Sequence, residues 1–371
     1  MKLKISRIDL PAGRRILAMS DIHGQLGHLK GALEKARFSK DDILFIVGDL
    51  IEKGPDSLGV LRYVMRLCEE YTVYPLIGNV DAHQLEIIER WNPFFLHQYI
   101  RYMRRYWGGC LLSEMCGELG IRAQSPLTLA RARSKIQGTF QKELDFLRGL
   151  PAVIETQRFL FVHGGLPTED LASLEGKDAF PCLKNDAFME KGLCFSKYVV
   201  VGHWPVTLYG DQFDCSNPIV NREQRIISID GGCSLKRTGQ LNVLIVPTEA
   251  SEAFTFAGFD GLPVKKALDA QEASEQPFCI RYTDNRIRML ERGDAFSLVE
   301  HRSTGRKMRV LNADIYGSGT ALRCNDCTDY RLPVQPGDAL SVVLETSEGC
   351  LVKKDGAAGW YCGRFQESQN G

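Results

Sequence analysis

Short apolar runs alternate with longer amphipathic stretches over roughly the first 260 residues, the pattern of an α/β domain. Five runs carry the pattern: RILAM before Ser20, DILFIV before Gly48, VYPLI before Gly78, FLFV before His163 and YVVV before Gly202. Each is short and rich in branched or aromatic residues and leads into a glycine or a polar residue. Each therefore reads as a buried strand running into a loop. Helices are expected between them. His28 to Arg37 sets Leu29, Ala32, Leu33 and Ala36 at helical spacing, and Ser57 to Leu67 does the same with Leu58, Leu61, Val64 and Met65. Trp91 to Leu147 interrupts the strand rhythm. It reads as a helical insert or cap at about residues 92–148, with one helix near Phe94 to Trp107 and another ending near Leu147.

The pattern changes near Asp260. GLPVKKALDAQEASEQPF is polar and holds two prolines, so residues 263–275 are expected to be a linker. The strand-like runs FSLVEH, KMRVLNADIY, ALSVVLET, CLVKKDG and GWYCGRF come next at hairpin spacing, with KDG and PGD as turns. The expectation is an α/β domain over residues 1–262 and a small all-β barrel over 276–371, whose ending is similar to Src-homology-3-like bacterial modules. The barrel is read as a stabilising or dimerising appendage or as a module for a peptide or protein partner.

Composition narrows the classes. The 371 residues are 44% hydrophobic and 25% charged, which sets disordered and fibrous chains aside. Forty-six basic residues balance forty-six acidic ones, so no nucleic-acid partner is expected. No run approaches the ~20 apolar residues that span a bilayer, and no membrane association is expected. MKLKISRIDLPAGRR lacks a following apolar signal core, and twelve scattered cysteines suit reduced thiols, so the expected compartment is cytoplasmic. The pair Cys324 and Cys327 has metal-site spacing, but Cys350 and Cys362 do not repeat it, so reduced thiols are expected there too.

The residues just past the five strands carry the chemistry: Asp21 and His23, Gly48-Asp49, Gly78-Asn79, His163, and Gly202-His203. Side chains just past the carboxyl ends of strands in an open α/β sheet gather along one crevice. Carboxylate, imidazole and carboxamide ligands without thiolates suit manganese, iron or zinc. Six such ligands exceed the needs of one catalytic ion. Two ions ~3.5–4 Å apart clamp a phosphoryl group and activate a water between them.

In this order the residues Asp21-x-His23, Gly48-Asp49-x-x-Glu52-Lys53-Gly54, Gly78-Asn79, His163 and Gly202-His203 resemble the calcineurin-like metallophosphoesterases, over roughly residues 14–247. GDLIEKGPDSLGVLRYV, FLRGLPAVIETQRFLFVHGGLP and ISIDGGCSLKRTGQLNVLIV are similar to the phosphoprotein phosphatase branch, which holds Ser/Thr phosphatases and symmetrical diadenosine tetraphosphatases. The resemblance implies a two-sheet α/β/β/α sandwich with a helical cap. It implies Asp21, His23 and Asp49 on a first metal, with Asp49 bridging to a second completed by Asn79, His163 and His203. Manganese is the first expectation for both metals, iron and zinc the alternatives. It also implies hydrolysis of a phosphorylated protein or small phosphoester.

The chain departs from the family pattern at two places. Glu52-Lys53 replaces an aspartate-arginine pair; Lys53 is expected to steady a phosphate as a point charge, and Glu52 to orient it or a nearby water. Val80 stands where the family places a histidine, so the usual proton donor is missing, a group worth ~10²–10⁴-fold for poor leaving groups. His83, three residues on, is the candidate replacement, with plain packing on its helix as the other reading. The expected activity is a phosphoprotein-phosphatase-type monoesterase. The alternatives are a hydrolase of dinucleoside polyphosphates or phosphodiesters, and an inactive phosphatase fold that binds a phospho-ligand.

Overall fold

The structure is a computed structural model and describes residues 1–210 and 212–366. The chain divides into two compact units. The first comprises Met1–Val206, Asn217–Leu235 and Gly239–Phe259; the second comprises Thr207–Ser216, Lys236–Thr238 and the chain from Asp260 onward.

The first unit is built on two mixed sheets. Its strands are β1 (Ile5–Arg7), β2 (Ile16–Met19), β3 (Ile43–Val47), β4 (Thr72–Leu76), β5 (Val153–Glu155), β6 (Phe159–Val162) and β7 (Tyr198–Val201). After β8 (Asp214–Cys215), which belongs to the second unit, come β9 (Ile219–Asn221), β10 (Ile226–Ser228), β11 (Leu241–Val246) and β12 (Thr255–Phe259). One sheet runs β12-β11-β2-β3-β4 and the other β1-β5-β6-β7-β10-β9. Within them β2, β3 and β4 are parallel, as are β6, β7 and β10.

Side chains alternate across each strand, which sorts them into layers. Ile16, Ala18, Ile43, Phe45 and Val47 share one core with Phe159, Phe161, Val200 and Ile227 of the other sheet. The rings of Phe45 and Phe161 stack there at 3.8 Å, so the two sheets lie face to face. Leu17, Met19, Leu44 and Ile46 point the other way, into a core shared with Leu29, Leu33, Leu61 and Val64. Those four belong to α1 (Leu26–Lys35) and α2 (Ser57–Glu70), whose apolar spacing was legible in the sequence. Asp56 caps α2, its carboxylate accepting from the Gly59 amide at 2.8 Å.

Among the described residues, helices are the insert's regular elements. After α3 (Asn79–Arg90) come α4 (Pro93–Trp107), α5 (Leu111–Glu118), α6 (Pro126–Thr139) and α7 (Gln141–Gly149). Asn92 and Ser125 cap α4 and α6, each ahead of a proline at the first helical position. Two short helices, α8 (Leu171–Leu174) and α9 (Phe180–Leu183), lie between β6 and β7.

The second unit is all β apart from short helical turns. Val264–Lys266, Ala339–Thr346, Gly349–Lys354, Ala357–Tyr361 and β8 form one antiparallel sheet in that order. Val264–Lys266 falls where the sequence suggested linker. Ile287–Glu291, Phe296–His301 and Lys307–Leu311 make a three-stranded meander, and two further pairs are two-stranded. Among the described residues these sheets are small and none closes on itself, so what the strand pairing shows over the region expected to be a small all-β barrel (276–371) is an all-β unit of small open sheets. The apolar residues divide between two small cores, one around Leu340, Val352 and Tyr361 and one around Ile280, Val299 and Met308. None of the twelve cysteines is in a disulfide, and Cys324 Sγ lies 3.9 Å from Cys327 Sγ.

Candidate metal centre

The loops after β2, β3, β4, β6 and β7 come together, and the backbone ties several of them to one another. Asp21 N–H donates to Gly48 O at 3.0 Å, His23 N–H to Asp49 O at 3.0 Å, and Gly202 N–H to His163 O at 2.9 Å. Two glycines let these loops approach. A Cβ on Gly78 would lie 2.1 Å from Asp49 Oδ1, and one on Gly202 would lie 2.3 Å from Asp21 Oδ2. Asp21, His23, Asp49 and His203 all adopt left-handed backbone, with φ of 57°, 50°, 53° and 68°. Non-glycine residues rarely sit there, and such strain clusters at functional sites.

All six residues singled out as metal ligands arrive at this place. One ligating atom each from Asp21, Asp49 and His163 lies within 4.8 Å of the other two. His23 Nε2 is 3.7 Å from both Asp21 Oδ1 and Asp49 Oδ2. His163 Nε2 is 3.0 Å from Asn79 Oδ1 and 3.4 Å from Asp49 Oδ1. His203 donates its backbone N–H to Asp21 Oδ2 at 2.9 Å, and its ring centroid is 5.3 Å from that of His163. Asp21, His23, Asp49 and His163 are almost completely buried.

The electrostatics call for positive charge. Burial foremost, and then the Asp49 charge, push the Asp21 carboxyl up to about 6, against the pull of His163. Burial pulls the His163 imidazolium down, yet Asp49 and Asp21 hold it up to about 10. His163 is thus the counter-charge to two buried carboxylates, a task divalent cations perform better. One further atom fits. Asp230, completely buried one residue past Ile229, accepts from Gly232 N–H at 2.8 Å through Oδ1, while Oδ2 has no hydrogen-bond partner among the described residues. Its carboxyl is raised by burial and then by Asp21. An orphaned carboxylate oxygen beside a cluster of oxygen and imidazole donors suits a hydrated divalent ion.

Around the cluster, carboxylates brace the loops. Asp81 is buried and accepts from Leu50 N–H at 2.9 Å, Ile51 N–H at 3.2 Å and Gly78 N–H at 2.9 Å, so one side chain holds the Asp49 loop against the Asn79 loop. Both oxygens of Glu52 are engaged with the cap: Tyr99 Oη donates at 3.0 Å and the Leu111 N–H at the start of α5 at 2.8 Å. Glu114 of α5 reciprocates, accepting from Ser57 N–H at 3.0 Å and Leu58 N–H at 2.7 Å at the start of α2. Glu52 is therefore tied to the cap, and with Lys53 it also lines the cavity beside Asn79. Lys53 does reach the centre, its Nζ 3.4 Å from His23 Nε2.

A cavity of about 370 Å³ opens beside Asn79, lined by Lys53, Val80, His83, Tyr99, Tyr102 and Trp107 among others. Val80 donates its N–H to Asp49 Oδ1 at 2.9 Å and offers the cavity only methyl groups. His83 lies one helical turn beyond Asn79 on α3, its ring edge-on to Tyr99 at 6.4 Å. A second cavity of about 490 Å³ starts from the same Asn79 and His83 and is lined by Lys4, Glu86, Glu89, Arg90 and Arg148. Sequence reasoning missed Asp186, whose Oδ1 lies 2.7 Å from His203 Nε2, along with the bracing by Asp81 and Tyr99 and the orphaned Asp230. Asp81 comes shortly after the motif glycine Gly78, and Asp230 directly precedes Gly231 in a motif segment, the one signal available; Asp186 had none.

The sequence profile of the calcineurin-like phosphoesterases matches residues 14–230. The symmetrical bis(5'-nucleosyl)-tetraphosphatase of Hamiltonella defensa is 43% identical over 70 residues, 19% of this chain and 25% of that one. The protein of the same description from Escherichia coli K12 is 27% identical over 195 residues, 48% of this chain and 65% of that one. The chain thus spans less than two thirds of the length of either curated relative. A Saccharomyces cerevisiae serine/threonine phosphatase structure, described as similar to human PP5, covers 71% of this chain and 85% of its own at 12% identity and a TM-score of 0.44.

Proposed function

The chain belongs to the calcineurin-like phosphoesterase family, and from that premise we propose that it is a phosphoester hydrolase working with two divalent cations, manganese first among them. The observation that carries this reading is the meeting of Asp21, His23, Asp49, Asn79, His163 and His203 at one place from five strand ends, four of them almost completely buried. When bound there, the cations supply positive charge to the phosphoryl oxygens and acidify the attacking water.

The chain's own residues do the rest. Lys53 holds a phosphoryl oxygen as a point charge. His83, facing the cavity beside Asn79, gives a proton to the leaving group, the task Val80 cannot perform. Asp81 and Glu52 keep the ligand loops and the cap in register.

A solvent-facing imidazole is a weaker acid arrangement than one built into the ligand loop, which favours leaving groups that depart unprotonated. The cavity adjoining Lys53 and Asn79 is walled by Tyr99, Tyr102, Trp107 and Phe180, a stacking surface for a base. Our first reading of the substrate is therefore a nucleotide phosphoester or phosphoanhydride. The second is a phosphorylated peptide, favoured by the larger cavity, whose lysine, arginines and glutamates suit an extended polar chain. The second unit is proposed to be an accessory module for a protein or peptide partner.

The deciding experiment compares manganese-supplemented turnover of a dinucleoside polyphosphate, a phosphopeptide and p-nitrophenyl phosphate, with Asp49→Asn protein as the blank. Turnover above the blank supports hydrolysis, and the ranking selects the substrate. No turnover on any of the three overturns the enzymatic reading in favour of a phospho-ligand binding protein.

A further inference from the structure

The three histidines of the centre are held in two different ways. His163 sets Nδ1 2.8 Å from Val47 O, and His23 sets Nδ1 3.3 Å from Ile51 O. His23 is thereby left with Nε2 toward Asp21 and Asp49, and His163 with Nε2 toward Asp49 and Asn79. His203 is reversed: its Nε2 lies 2.7 Å from Asp186 Oδ1. The partner is also of another kind, a carboxylate rather than a peptide carbonyl.

We propose that Asp186 is a positioning residue of the metal centre, accepting the Nε2 proton of His203 so that Nδ1 becomes its ligating nitrogen. A neutral imidazole carries one proton, and an acceptor on one nitrogen leaves the lone pair on the other. A carboxylate acceptor also makes the ring a stronger donor to a cation than a carbonyl does. The backbone of His203 is already fixed by its N–H bond to Asp21 Oδ2 and its φ of 68°. Asp186 then fixes the ring about its remaining freedom.

The placement of Asp186 gives this a second consequence. It is about half exposed, with Lys184 Nζ 3.7 Å away, on the segment just past α9. Phe180 of α9 lines both cavities. The stretch from Phe180 to Asp186 thus touches the substrate space at one end and a metal ligand at the other.

This rests on the two-cation reading, so the test separates the two. Manganese binding is measured by calorimetry for wild type, Asp186→Ala, Asp186→Asn and Asp186→Glu, with melting temperature as the check on folding. Asp186→Ala should weaken one of the two equivalents by ~10–100-fold and leave the other and the melting temperature unchanged, with Asp186→Glu restoring affinity. Equal weakening of both equivalents, or of neither, overturns the proposal. Nitrogen-15 NMR of the histidines in metal-free protein is the independent readout. A proton on Nε2 of His203 in wild type, redistributed in Asp186→Ala, is expected; a proton on Nδ1 in wild type overturns the proposal. If wild type binds fewer than two equivalents, the two-cation reading fails, while the tautomer still decides the role of Asp186.

Discussion

Tyr99 of the cap donates its hydroxyl to Glu52 at 3.0 Å, and Glu52 lies three residues beyond Asp49 on the same loop. The helical cap and the metal-ligand loop are therefore joined through one buried carboxylate, which Leu111 N–H also bonds. Burial foremost pushes that carboxyl up to about 7, and the Glu114 and Asp81 charges add to it against the two hydrogen bonds. A carboxyl raised on folding binds a proton in the native state that the unfolded chain has released. Its stabilising contribution is complete below the ordinary carboxyl range and is lost as pH rises through about 7. We expect wild type to lose stability between about pH 4.5 and pH 7, and Glu52→Gln to flatten that loss, as urea denaturation at stepped pH would read. An unchanged slope in Glu52→Gln would refute the assignment.

Asp81→Ala leaves the amides of Leu50, Ile51 and Gly78 without their acceptor. Each buried unpaired group costs ~1–3 kcal/mol, so a loss of at least ~2 kcal/mol is expected by urea denaturation. Because those amides flank Asp49 and Asn79, manganese affinity should fall alongside. A variant with wild-type stability and affinity would remove Asp81 from this role.

Replacing His83 by alanine should slow hydrolysis in proportion to the basicity of the leaving group. Alkyl phosphates should lose ~10–100-fold and p-nitrophenyl phosphate little. The converse substitution Val80→His, which places an imidazole beside Asn79, should raise alkyl phosphate turnover. Equal effects of His83→Ala across leaving groups would make His83 a packing residue.

Tyr102 is exposed at the lip of the aromatic cavity, its ring 4.8 Å from that of Tyr106. If a base stacks there, Tyr102→Ala should raise KM for a nucleotide substrate by about tenfold and leave p-nitrophenyl phosphate unaffected. Losses shared by both substrates would instead report a disturbed cap.

The candidate ligands were legible because each sits where an unmistakable buried strand stops, and a strand end fixes where the next side chains go. The motif holding Glu52 and Lys53 was legible, but not their bonding: Glu52 accepts from Tyr99 while Lys53 reaches His23, and both line the cavity beside Asn79. Asp186 was invisible, because its pairing with His203 joins residues from different loops with no motif around either the carboxylate or its spacing. In the insert, the helix expected near Phe94 to Trp107 is α4, and the one expected to end near Leu147 is α7. The short α5, dependent on Glu52 for its first amide, was not among those expected. The hairpins of the C-terminal region were readable from their turns. Whether a sheet closes depends on pairing between distant strands, such as β8 with Ala357–Ala358, which no local pattern encodes.

That last pairing bears on how this chain can be cut. A chain truncated after Phe259 would keep Asp214 and Cys215 while discarding the strand that pairs them. It would also keep the Asp214 carboxylate and discard Arg281, whose guanidinium meets it at 3.0 Å with both side chains largely buried. The product would carry an unpaired sheet edge and an orphaned charge, the conditions for self-association. The C-terminal region is therefore no detachable tail: gene fusions, domain swaps and expression trials need boundaries that follow the strands, and none exists at a single point in the chain.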